Sequence, residues 1–144
     1  MNIETVFVYG TLKRGFSRQT CWPTEPLSVR HGFVQGHLLD VGPYPGLLAG
    51  TNWVRGELWR LSADDVVKTL AALDEVEGCF GDKLHDLYRR VTIDVFATPC
   101  GERMAEAYVY LLNNSQVIES AQPIEPSSYQ DQEIYAEWPA SSKS

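Results

Sequence analysis

Val6-Phe7-Val8-Tyr9-Gly10-Thr11-Leu12-Lys13-Arg14-Gly15 is the stretch from which the fold is read. Its first half is an unbroken β-branched and aromatic run, Val6 to Tyr9, as expected of a buried strand. Gly10 ends the run and Gly15 closes a short loop. A loop at the end of a buried strand can aim successive backbone N–H groups at one place, a concavity suited to a carboxylate or phosphate. The plainer reading is a first core strand and an ordinary turn, with Lys13 and Arg14 in water; this stretch alone leaves it open. The glycine spacing and Lys-Ser/Thr pair of a nucleotide-binding P-loop are missing.

Working outward, the 144 residues suit one domain over residues 1–138, followed by a mobile C-terminal end at 139–144. An apolar fraction of 44% and a charged fraction of 22% match an ordinary soluble protein. Twelve basic against nineteen acidic residues give a net charge of -7, which argues against a nucleic-acid partner. No apolar stretch is long enough to span a bilayer, and no signal peptide is seen. Cys21, Cys79 and Cys100 are odd in number and widely spaced, which suggests a reducing cytoplasm. His31, His37 and His85 show no ligand spacing, so no metal or other cofactor is expected.

Phe16 to Pro26 reads as a loop or short helix. Val29 to Val41, interrupted by Gly32 and Gly36, reads as one bent strand or two short ones. Gly42-Pro43-Tyr44-Pro45-Gly46 is a loop. Its prolines restrain Tyr44, either as a wall for a substrate or as an aromatic packed over a turn. Val54 to Arg60 alternates as a half-buried strand does, with Val54, Gly56 and Leu58 on one face. Ser62 is an N-cap candidate for a helix running to about Glu77, with Gly78 as its stop. Leu87 to Phe96 and Met104 to Leu112 form a hairpin around Thr98 to Glu102. Beyond Asn113 the chain is polar, with Tyr129, Ile134, Tyr135 and Trp138 as anchors and room for a short helix.

The helix carries the most informative side chain. Val66, Leu70, Leu73 and Glu77 are spaced 4, 3 and 4 apart, which brings Glu77 within roughly 20° of Val66 around the axis. Glu77 thus continues the apolar stripe, whereas Glu75 faces water and Asp74 lies between. Burial and the negative end of the helix dipole both raise the pKa of such a carboxyl, toward the range of a general acid/base. If the helix frays before Glu77, the side chain turns outward instead.

Val8 to Gly15 resembles the opening of the γ-glutamylcyclotransferase-like superfamily, which includes γ-glutamylamine cyclotransferases and AIG2-like proteins. The resemblance continues in order through Tyr44-Pro45, Val54 to Trp59, Leu73 to Gly78, Leu87 to Arg90 and Ala107 to Tyr110, covering about residues 5 to 112. It implies an α+β fold, a small mixed, partly closed β-barrel with flanking helices. It implies a cofactor-independent enzyme of transferase or lyase type acting on a small-molecule γ-glutamyl substrate and releasing 5-oxoproline. On that resemblance Tyr9, Gly10, Thr11 and Leu12 hold the substrate's α-carboxylate, and Glu77 is the catalytic acid/base. Tyr110 matches a tyrosine near the site, while Tyr44 and Tyr88 shape the pocket. None of the cysteines need act. The leaving amine or amino acid is not legible, because nothing after about Asn113 resembles the family clearly. A non-catalytic binding module on the same fold is the competing reading, and a lyase or amidase acting on other γ-acyl groups through Glu77 is a third. A cytoplasmic monomer is the default expectation.

Overall fold

The computed structural model describes residues 3–82, 85–128 and 134–139. Strand β1, Thr5–Val8, is followed by the 10–15 loop and a 3-10 turn at Gln19–Cys21, the short helix allowed for in that polar stretch. Strands β2, Ser28–Asp40, and β3, Pro45–Arg60, form a long antiparallel hairpin with a register shift between Gly36 and His37. The bent-strand reading therefore holds as one strand with a bulge. Pro45 and Gly46, expected in the loop, instead open β3, pairing with Asp40 and Leu39. Helix α1, Val66–Val76, follows a 3-10 turn at Ala63–Asp65. Ser62 has the extended backbone of a cap, but its side chain makes no capping bond.

Strands β4, Tyr88–Phe96, and β5, Arg103–Leu112, form the second hairpin. Helix α2, Ser115–Ser120, and short strands β6, Gln122–Pro123, β7, Ser127–Ser128, and β8, Ile134–Tyr135, complete the described chain. Pairing runs β3-β1-β5-β4-β2 and returns to β3, so five strands close a barrel, with β6 outside on β2. The β1–β5 pair is parallel and the others are antiparallel, which makes the barrel mixed. Of the late anchors, Trp138 packs on Phe16 and Tyr135 on Phe33, whereas Ile134 is exposed. Tyr129 and residues 140–144 of the expected mobile end lie outside the described residues.

The alternation of side chains along β1 explains its unbroken apolar run. Phe7 and Tyr9 enter the barrel interior with Val34, Leu47, Val54, Val95 and Val109. Val6 and Val8 face the other way, into a second cluster with Leu70, Leu73, Tyr88 and Tyr110. A strand buried on both faces has no polar side to show. Helix α1 lays Leu70 and Leu73 onto the outer cluster, while Glu75 is exposed.

The end of α1 is closed by two bonds. The Cys79 N–H donates to the Asp74 carbonyl at 2.9 Å, and the Gly78 N–H to the Glu75 carbonyl at 3.3 Å. Gly78 has φ +66°, so this is a Schellman closure with glycine at the left-handed position. It keeps Glu77 on the helix as its C-cap residue rather than letting it fray.

Leu73, fully buried, should lose about 2–5 kcal/mol of stability as Leu73→Ala. Gly78→Ala, forced into a left-handed backbone, should lose about 1–2 kcal/mol. The exposed Glu75→Ala should stay within about 0.5 kcal/mol. Urea unfolding measures all three; equal losses at Leu73 and Glu75 would contradict the placement of the helix.

Candidate active site

A partly open cavity lies at the C-terminal end of β1. The structure brings together around it all eight site residues expected from the sequence: Tyr9, Gly10, Thr11, Leu12, Tyr44, Glu77, Tyr88 and Tyr110. It adds Arg18 and Pro45, which the sequence reading did not single out.

The 10–15 loop is tied down through its carbonyls. Gly10 O accepts from the Lys13 N–H at 3.0 Å, Thr11 O from the Arg18 N–H at 2.8 Å, and Lys13 O from the Phe16 N–H at 3.0 Å. Leu12 O accepts from the Trp22 indole at 2.9 Å, and that indole stacks on Trp59 with centroids 4.0 Å apart. By contrast, among the described residues the N–H groups of Gly10, Thr11 and Leu12 donate to no protein acceptor. Three successive amides without partners, on residues that line a cavity, are the kind of group a loop offers to an anion.

Gly10 is required by a close approach. A Cβ there would lie 2.6 Å from Pro45 Cγ, so only glycine lets the loop touch the start of β3. Lys13, which the plainer of the two readings leaves in water, is only 4% exposed. Its Nζ donates to Trp138 O at 2.6 Å and lies 4.6 Å from the Phe16 ring centre, so the chain's last described segment braces the loop. Arg14 is exposed, as expected, though its backbone N–H donates to Glu57 Oε1 at 2.8 Å.

Glu77 reaches the cavity from the last turn of α1, with its side chain 13% exposed. Burial pushes its carboxyl from an ordinary value near 4.5 up to about 7, and Arg18 offsets only part of that. Arg18 Nη1 lies 3.7 Å from Glu77 Oε2.

The tyrosines have committed their protons. Tyr9 Oη donates to Tyr110 O at 2.5 Å, Tyr88 Oη donates to Pro45 O, and Tyr110 Oη donates to Asp74 Oδ1 at 2.6 Å. Asp74 is held in turn by Arg90 Nη1, at 2.8 and 2.6 Å to its two oxygens. Burial raises the pKa of all three phenols, reinforced at Tyr9 and Tyr88 by neighbouring acidic groups and at Tyr110 by its bond to Asp74. They are neutral near physiological pH and offer lone pairs rather than protons to a ligand. Tyr44 is half-buried, its ring 6.3 Å from that of Tyr88. No cysteine lines the cavity. Among the described residues no group of three His, Cys, Asp or Glu side chains is placed to hold a metal ion. Nor is any described helix long and apolar enough to cross a membrane.

Chemically, a carboxyl that titrates near neutrality can take a proton from an amine and give it back. Amides lining the same cavity can hold an anion meanwhile.

Arg18 was missed because a single arginine in a polar loop carries no periodicity. The Asp74–Arg90 pair was missed because it joins a helix to a strand 16 residues away.

The family model described as γ-glutamyl cyclotransferase, AIG2-like, matches residues 6–131, reaching past Asn113, where the sequence resemblance had stopped. A γ-L-glutamyl-butirosin B γ-glutamyl cyclotransferase of Niallia circulans is 34% identical over 110 residues, covering 75% of this chain and 67% of that protein. A Vibrio cholerae protein provisionally named a γ-glutamylcyclotransferase is 32% identical over 123 residues, covering 80% and 87%. The crystal structure of an AIG2-like protein from Mus musculus aligns with TM-score 0.58 and 25% identity, covering 77% of this chain and 78% of that one. A uropathogenic E. coli-specific protein shares the fold at TM-score 0.58 and 18% identity, over 86% and 89% of the two chains. The chain belongs to the γ-glutamyl cyclotransferase, AIG2-like family.

Proposed function

We propose that the protein cyclises the γ-glutamyl group of a small-molecule γ-glutamyl-amine or γ-glutamyl-amino acid to 5-oxoproline, with Glu77 as general acid/base. The observation that carries this reading is the meeting of the buried Glu77 carboxyl with the unpartnered amides of Gly10, Thr11 and Leu12 in one cavity. The amides hold the substrate's α-carboxylate. Glu77 takes a proton from the α-amino nitrogen as that nitrogen bonds to the γ-carbonyl carbon. It returns the proton to the departing nitrogen as the original amide bond breaks. No water is consumed, and no enzyme nucleophile is needed, because both reacting groups belong to one molecule and only their positioning must be supplied. Tyr9, Tyr88 and Tyr110 shape the site and accept hydrogen bonds from the ammonium or amide N–H groups; Tyr44 forms a wall.

Incubation with γ-glutamyl compounds and detection of 5-oxoproline tests this. Wild-type protein should release it, and Glu77→Gln should lower kcat/KM by roughly 10²- to 10⁴-fold. Because Glu77 must be ionised to accept the first proton, wild-type kcat/KM should fall about tenfold per pH unit below about 7. Equal release by both proteins would remove Glu77 from the mechanism. Substrate binding without release, by folded wild type, would favour a non-catalytic module.

The same burial sets a stability signature. At about pH 8 Glu77 is ionised in the folded and the unfolded chain, so folding bears the full cost of burying the charge. Below about pH 4.5 it is protonated in both, and the cost is absent. As far as this group goes, stability is greatest below about pH 4.5 and is lost as pH rises through about 7. Glu77→Gln should therefore be more stable than wild type at about pH 8, by up to about 3 kcal/mol, and similar at about pH 4. Urea unfolding at the two pH values decides; a variant less stable at the higher pH would mean that Glu77 is not desolvated.

A further inference from the structure

Arg18 lines the same cavity as Glu77 and stands beside it. Among the described residues lining the cavity Arg18 alone carries a positive charge, as Glu77 alone carries a carboxyl group. Its backbone is fixed to the loop by the bond to Thr11 O, and its guanidinium carbon lies 6.0 Å from the Tyr44 ring centre. Its side chain is 39% exposed against 13% for Glu77, so it occupies the outer part of the cavity. The 3.7 Å approach to Glu77 is longer than a charge-assisted hydrogen bond, about 2.7–2.9 Å. Among the described residues its guanidinium makes no hydrogen bond, which leaves the donor fork available to a ligand.

Resting on the cyclotransferase reading, we propose that Arg18 binds a carboxylate on the leaving group. The preferred substrates are then γ-glutamyl-α-amino acids rather than γ-glutamyl-amines. In an α-amino acid the carboxyl carbon lies about 2.5 Å from the departing nitrogen. That nitrogen must come within about 3 Å of Glu77 to receive its proton. A guanidinium beside Glu77 is therefore within reach of the carboxylate of a departing α-amino acid and has no partner on a plain alkylamine. The planar fork also suits bidentate pairing with a carboxylate. The α-carboxylate of the γ-glutamyl half is already provided for by the loop amides at the other end of the substrate.

γ-Glutamylalanine and γ-glutamylethylamide differ only by that carboxylate and form the test pair. Wild type should prefer γ-glutamylalanine by at least about tenfold in kcat/KM. Arg18→Met should bring the ratio to near one, and Arg18→Lys should leave an intermediate value. Removing Arg18 also raises the Glu77 pKa, but that change affects both substrates and cancels in the ratio. Far-UV circular dichroism checks that each variant is folded. Turnover of both compounds by wild type without preference overturns the role of Arg18 and leaves the cyclisation intact. An equal loss on both compounds in Arg18→Met, with the ratio unchanged, also overturns it, because Arg18 would then be serving the γ-glutamyl half. Failure of folded wild type to release 5-oxoproline from either compound, or from other γ-glutamyl compounds, sinks the cyclotransferase reading and this proposal together.

Discussion

The burial of β1 on both faces is the constraint from which the site follows. Phe7 and Tyr9 fill the barrel, and Val6 and Val8 meet the helix, so the strand cannot slide by one residue without exchanging its two apolar faces. Its end is therefore fixed, and with it the start of the 10–15 loop. Gly10 then passes Pro45 at a distance that a side chain would forbid. The carbonyls of Gly10 to Lys13 are used up by the loop's own turns, by Arg18 and by Trp22, which leaves the amides of Gly10, Thr11 and Leu12 without partners among the described residues. The loop owes its polarity to this division rather than to any charged side chain.

The opposite wall depends on the closing turn of α1. A carboxylate at a helix C-terminus meets an unfavourable dipole, and burial adds a larger penalty. An inert core would place an apolar residue there. The Schellman closure at Gly78 and the packing of Leu70 and Leu73 hold Glu77 in this costly position. The strain is electrostatic, and its consequence is a carboxyl that exchanges protons near neutrality. The burial that raises this carboxyl's pKa is the same burial that costs the fold stability when the group is ionised.

The surrounding phenols contribute by staying neutral. With their protons committed to Tyr110 O, Pro45 O and Asp74, they place oriented dipoles around the cavity without competing with Glu77 for charge. Arg90 pairs with Asp74 and holds it against Tyr110, one residue removed from the cavity. Arg18, more exposed than Glu77, is the only full positive charge at the wall among the described residues.

Local pattern determined a good deal. The unbroken run before Gly10 marked a buried strand, the alternation from Val54 marked a half-buried one, and the 4-3-4 spacing put Glu77 on the inner face of a helix ended by Gly78. Each of these is a statement about neighbours in sequence, where backbone period alone decides which side chains share a face. Other features required the closed barrel. The extension of β3 back to Pro45 follows from pairing with β2, not from the proline-rich composition that signalled a loop. The burial of Lys13 depends on Trp138, 125 residues away, and the bond from Tyr110 to Asp74 joins elements 36 residues apart. The place of Arg18 beside Glu77 depends on how the loop folds back over the end of α1. Contacts of this kind carry no periodicity, because their geometry is set by the closure of the whole sheet; the sequence determined the faces of the elements, and only the tertiary structure decided which of those faces meet.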